Sequence, residues 1–162
     1  MDVRLPSGLL VTEEDCLPET LDLSGENIKA VAGYVCTRYR SLLPVGDVAK
    51  AFAEGAVKDG VARAGEAFNC PTAILQPGEA GESSEHWIAT HGIQQVVMAY
   101  PPVGPTQERL QMLKVKLARI GVSLIYVRRD WDRLFWPHAT KGFFAFKERI
   151  PQILNELSLM HS

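Results

Sequence analysis

Several things are scarce in this 162-residue chain, and each scarcity excludes a class of protein. There are only three cysteines, Cys16, Cys36 and Cys70, far apart and with no CxxC pair. Structural zinc, dithiol redox chemistry and a disulfide scaffold therefore have no support, and the three read as free thiols in a reducing compartment. Lysine and arginine (17) do not outnumber aspartate and glutamate (19), so a basic nucleic-acid module is excluded for the chain as a whole. No apolar run reaches the ~18 residues of a membrane span. The opening MDVRLPSGLLVTEED is not a secretory signal, and the expected compartment is the cytoplasm. The glycine fingerprints GxxxxGK[ST] and GxGxxG are missing, as is the GxSxG nucleophile elbow. His86 and His91 stand five apart, on different faces of a helix, so no metal pair is expected, and no acid spacing implies catalytic carboxylates.

What is present is ordinary globular composition, 46% hydrophobic and 22% charged, at a length that predicts one domain. Residues 1–24, broken by Pro6 and Pro18, read as an irregular arm with a short strand at Gly8–Thr12. A helix is expected from Ser24 or Gly25 to Leu43, carried by Ile28, Val31, Ala32, Val35 and Tyr39. The alanine- and glycine-rich stretch 46–68 adds one or two more, so residues 25–68 are expected to be helical. Gly55, Gly60 and Gly65 within it are either accidental or allow close helix packing.

From residue 70 the pattern becomes strand and helix in alternation. The strands are Pro71–Gln76, Ile93–Tyr100 and Val122–Val127. Ser83 or Ser84 opens one helix that Gly92 closes, and Thr106–Ile120 forms the strongest helix, closed by Gly121. This order predicts an α/β, Rossmann-like parallel sheet of at least three strands, with helices on both faces and a helical N-terminal part.

Ligands of such sheets bind beyond the carboxyl ends of the strands. The best of these ends is Tyr100–Pro105, which runs into a helix whose free amides can hold an anion. Tyr100, Gly104, Thr106 (as N-cap) and Arg109 are the candidate ligand contacts. The same residues also read as a rigid loop with an ordinary cap. Residues 128–149 carry six basic groups against three acids, a local charge of +3, among Trp131, Phe135, Trp136, Phe143, Phe144 and Phe146. Such a segment can dock a partner, bind single strands or cap a core. Trp131, Phe135, Trp136 and Phe143 are the candidate docking residues, and a helix over 143–157 interrupted by Pro151 follows.

Residues 85–150 together resemble the second half of the N-terminal α/β domain of the DNA photolyase and cryptochrome family. The likeness rests on Trp87…His91-Gly92 before the strand at 95–100 and on Glu108-Arg109 in the next helix. It continues through Leu117-Ala118-Arg119-Ile120-Gly121-Val122, Asp132-Arg133-Leu134-Phe135-Trp136-Pro137 and Gly142-Phe143-Phe144-Ala145-Phe146-Lys147. Residues 1–70 lack the family's arginine-rich opening loop, and the helical flavin domain with its FAD site is absent. The resemblance implies a module without catalysis of its own. It would bind an antenna chromophore of flavin, deazaflavin or folate type, or a nucleotide-like ligand. Its partners would be a flavin domain on another chain or a second copy, with DNA reached only indirectly. The alternatives are a light-dependent repair photolyase assembled from two chains and a Rossmann-like nucleotide-binding enzyme.

Overall fold

A computed structural model describes residues 2–75 and 83–160. The chain divides into two compact units, Met1–Val127 and Arg128–Ser162, and the boundary falls where the basic and aromatic segment begins.

The first unit is a five-stranded, all-parallel sheet. Its strands are β1 (Ser7–Val11), β2 (Ile28–Tyr34), β3 (Thr72–Leu75), β4 (Gln95–Ala99) and β5 (Ser123–Val127), in the order β3-β2-β1-β4-β5. One row of side chains crosses it in register: Thr72, Val31, Leu9, Val97 and Ile125. Parallel strands are covered on both faces, and the residues divide by parity as the pleat requires. Leu10, Ala30, Ala32, Tyr34, Leu75, Val96, Met98 and Leu124 enter one core with Trp87, Ile88, Leu110, Leu113 and Leu117. Those last five come from α2 (Ser84–His91) and α3 (Pro105–Arg119). Leu9, Val11, Val31 and Val97 enter the other core with Val57, Val61 and Ala64 of α1 (Asp47–Phe68).

The α/β class, the parallel sheet and the covering of both faces are as the sequence predicts, as are the helical stretch 46–68 (α1) and a short strand near Gly8–Thr12 (β1); the helix expected from Ser24 or Gly25 to Leu43 is not. Residues 28–34 form the strand β2, and 7–11 form the central strand β1. The run Ala30–Tyr34 is buried on both sides, Ala30, Ala32 and Tyr34 facing one core and Val31 the other. A two-sided apolar run contains any spacing one looks for, including three and four, so its helical stripe carries no information. The β1–β2 connection holds only a 3-10 turn at Pro18–Thr20, against which α1 packs.

Helix α1 buries Ala53, Val57, Gly60, Val61, Ala64 and Gly65 along one stripe and ends at Asn69 in the left-handed conformation. Two of its three glycines have a packing reason. A Cβ on Gly60 would stand 2.9 Å from the Cys16 carbonyl oxygen, and one on Gly65 would stand 2.4 Å from Thr72 Cγ2. Gly55 faces open space. On the other face, Gly8 lets the Trp87 ring lie directly against β1, where a Cβ would meet it at 2.3 Å.

The second unit contains α4 (Asp130–Phe135), a 3-10 turn at Trp136–His138, α5 (Phe143–Lys147) and α6 (Ile150–Met160). The break in the last helix lies just before Pro151, which occupies the first turn of α6, where proline is tolerated. Among the described residues no helix is long and apolar enough to cross a membrane.

Candidate functional site

The order β3-β2-β1-β4-β5 places the topological switch point between β1 and β4, whose chains leave in opposite directions. The protein's own side chains occupy this point. Glu13, just after β1, accepts from the Cys36 N–H with both carboxylate oxygens (2.9 and 3.0 Å) and from the Thr37 hydroxyl at 3.0 Å. Glu14 accepts from the Thr106 hydroxyl at 3.0 Å and pairs with Arg40. Thr106 is therefore not the N-cap of α3. Gly104 holds that place at φ 148°, a backbone conformation open to glycine, with Pro105 following it. The Thr106 side chain turns inward, fully buried, to tie the start of α3 to the end of β1.

Burial pushes the Cys36 thiol up to about 12, with the nearby Glu13 charge adding to the effect, so this cysteine is an inert core group. Among the described residues no cluster of His, Cys, Asp and Glu could hold a metal ion.

The open space lies one strand over, at the carboxyl ends of β2 and β3. A groove of about 620 Å³ is bounded by Tyr34 and Tyr39 from β2 and the turn after it, Leu75 from β3, Ser83 and Ser84 at the start of α2, and the α3 residues Arg109, Met112, Leu113, Val115, Lys116 and Arg119. The Arg109 guanidinium lies over the Tyr39 ring, 3.8 Å from its centroid. Burial also pushes the Tyr34 hydroxyl up to about 12, so it remains a neutral donor and acceptor. Among the described residues that line it, three are cations and none is an acid. The first turn of α2 adds the positive end of a helix dipole, and its N-cap Ser83 accepts from the His86 N–H at 3.1 Å, as the sequence predicts.

Other hollows combine fewer cationic and aromatic groups. One of about 320 Å³ beside α1 gathers Arg38, Lys50 and Lys58 with Glu54, without an aromatic ring. One of about 680 Å³ sets Glu13, Thr37 and Arg40 against an apolar wall that includes Val48 and Phe52.

Of the four candidate ligand contacts, the groove takes in Arg109 alone. Tyr100 packs edge-on against Tyr126 at 5.8 Å, and its N–H donates to the Val127 carbonyl. Gly104 and Thr106 shape the start of α3. Tyr34 and Tyr39 lie in the stretch whose spacing predicts a helix, so the sequence does not mark them as strand-end residues. Read as a strand, Ile28–Tyr34 puts both tyrosines at a carboxyl end of the sheet. Gln76 and the Pro77-Gly78 turn, expected at another strand end, lie outside the described residues.

In the second unit, Phe135 is not a surface residue. It is buried, stacked on Trp131 at 4.2 Å and tilted against Phe146 at 5.8 Å. Trp131, Trp136 and Phe143 are exposed, and the Arg128 guanidinium lies 5.4 Å from the Trp136 ring centroid. Of the four candidate docking residues, three are exposed and Phe135 packs against Trp131.

Comparison with protein-family models, curated proteins and solved structures finds no match to this chain.

Proposed function

We propose that the first unit is a noncatalytic binding module for a small planar anion, held in the groove between Tyr34, Tyr39 and α3. The observation that carries this reading is the Arg109 guanidinium stacked on Tyr39 within a groove whose described lining residues include three cations and no acid. A planar ligand would stack on the Arg109 guanidinium that Tyr39 backs, and its negative charge would meet Arg109, Arg119 and Lys116, the last already paired with Glu85. The groove volume suits a ligand of nucleotide or chromophore size. The resemblance of residues 85–150 to the photolyase antenna domain favours a chromophore. A partner domain, such as a flavin domain on another chain, would meet the exposed Trp131, Trp136 and Phe143 of the second unit.

The test is the near-UV and visible spectrum of the purified chain, followed by titration with flavin mononucleotide. A retained chromophore band, or saturable quenching of flavin fluorescence, is the expected outcome. Arg109→Ala should weaken binding by about tenfold or more, the scale of a lost charge-assisted contact. A bare spectrum together with no saturable binding overturns the reading.

A further inference from the structure

The rim of the groove contains an anion of the protein's own. Glu85, in the first turn of α2, pairs through Oε1 with Lys116 Nζ at 2.7 Å, and its Oε2 accepts from the Ser84 hydroxyl at 3.1 Å. Lys116 and Ser84 are both groove-lining residues. Glu85 therefore occupies, with a single carboxylate, the donors that a bound anion would use: an ammonium, a serine hydroxyl and the start of a helix. The two side chains are 51% and 37% exposed, and so exposed a pair holds together only weakly. A phosphoryl group brings more negative charge and a third acceptor oxygen to the same donors. Arg119 lines the same groove and adds a second cation for that extra charge.

We infer that Glu85 is a placeholder anion: the ligand of this groove carries a phosphoryl group that displaces Glu85 from Lys116, while the planar part of the ligand lies toward Tyr39 and Arg109. This rests on the small-anion reading above and adds the chemical class of the ligand, an aromatic phosphate ester. It also assigns Glu85 a role in specificity. A ligand whose anionic group is no stronger than a carboxylate gains little by exchanging with Glu85, whereas a dianion gains both charge and hydrogen bonds.

Riboflavin and flavin mononucleotide differ only in the phosphoryl group, and titration of the full chain with both separates the two claims. The wild type should bind the mononucleotide at least about tenfold more tightly than riboflavin. Glu85→Gln should tighten the mononucleotide by about two- to fivefold, the scale of an exposed ion pair, and leave riboflavin unchanged. In a Lys116→Gln background the Glu85→Gln effect should vanish, since the cation being contested is gone. Thermal unfolding of each variant checks that α2 remains folded. Equal affinity for the two flavins overturns the phosphoryl assignment but leaves the small-anion reading standing. A mononucleotide preference that Glu85→Gln does not alter overturns the placeholder role. Absence of binding by either flavin overturns this inference together with the reading beneath it.

Discussion

Thr106 donates its hydroxyl proton to Glu14 across 3.0 Å, joining the first turn of α3 to the residues that follow β1, 92 positions earlier in the chain. Thr106 is fully buried and its acceptor is a carboxylate that also pairs with Arg40. Thr106→Val keeps the shape and removes the donor, and should cost about 1.5–3 kcal/mol, the range for hydrogen bonds to charged groups. Thr106→Ser keeps the donor and should recover most of that. Urea unfolding of the two variants gives the comparison, and a loss in Thr106→Ser with none in Thr106→Val would show that the methyl group, not the hydroxyl, matters.

Glu13 has a similar role on the other side of β1. Its carboxylate is the acceptor for the Cys36 N–H and the Thr37 hydroxyl as the chain leaves β2. Glu13→Ala leaves both donors without this partner and should destabilise by about 2–3 kcal/mol. Faster amide exchange at Cys36, ahead of global unfolding, is the accompanying signature.

The glycines of α1 should respond in opposite directions. Gly55→Ala adds a methyl into open space and should stabilise by about 0.5–1 kcal/mol through helix propensity. Gly60→Ala gains the same propensity but drives its Cβ against the Cys16 carbonyl at 2.9 Å, a backbone atom with little freedom to move. A net loss of about 1–3 kcal/mol is expected. If both variants gain stability, α1 does not sit this close to the β1–β2 connection.

Glu26 is half-buried, and both its carboxylate oxygens are shielded from solvent without a hydrogen-bond partner. Burial raises its pKa above the ordinary value. The folded chain therefore holds this proton more tightly than the unfolded chain does. The resulting stability is present below the unfolded value and is lost as pH rises through the folded one. Glu26→Gln removes that loss, so its advantage over the wild type should be larger at ~pH 7 than at ~pH 4. An advantage that is independent of pH would refute the assignment.

Cys36 should be the last thiol to react. Its pKa is pushed up to about 12 and the residue is fully buried, whereas Cys16 and Cys70 are only half-buried. A disulfide reagent at ~pH 8 should leave Cys36 untouched until the chain is globally unfolded.

The parts of this fold that were legible in the sequence are those with unambiguous local signals. Helix α3 has a one-sided stripe of Leu110, Leu113 and Leu117, and α2 has both its serine cap and its closing glycine. Strand β4 is short, apolar from Val96 to Ala99 and bounded by turns. Strand β2 has a similar apolar character in a longer run that a single glycine, Gly33, does not break, and no local rule separates that from a buried helix. The site was partly lost with it. Arg109 could be found because it follows a recognised strand end, whereas Tyr34 and Tyr39 depend on knowing that β2 is a strand. Thr106 illustrates a different limit: a threonine near a helix start resembles a cap, and only the distant Glu14 reveals its actual partner.

The central position of β1 bears on how the chain is made. Its neighbours are β2, some 20 residues away, and β4, nearly 90 residues away. During synthesis β1, β2, α1 and β3 emerge together and can close one face of the sheet. The opposite face, with Leu10, Ala30, Ala32 and Tyr34, stays uncovered until α2 and α3 leave the ribosome. At ~5–20 residues per second that interval lasts several seconds, with an apolar surface and the free edge of β1 both exposed. The nascent chain is thus most open to chaperone capture, or to pairing with another nascent chain, when its N-terminal half is already ordered. A synonymous change that slows translation between codons 76 and 110 would prolong that state without altering a single residue of the finished protein.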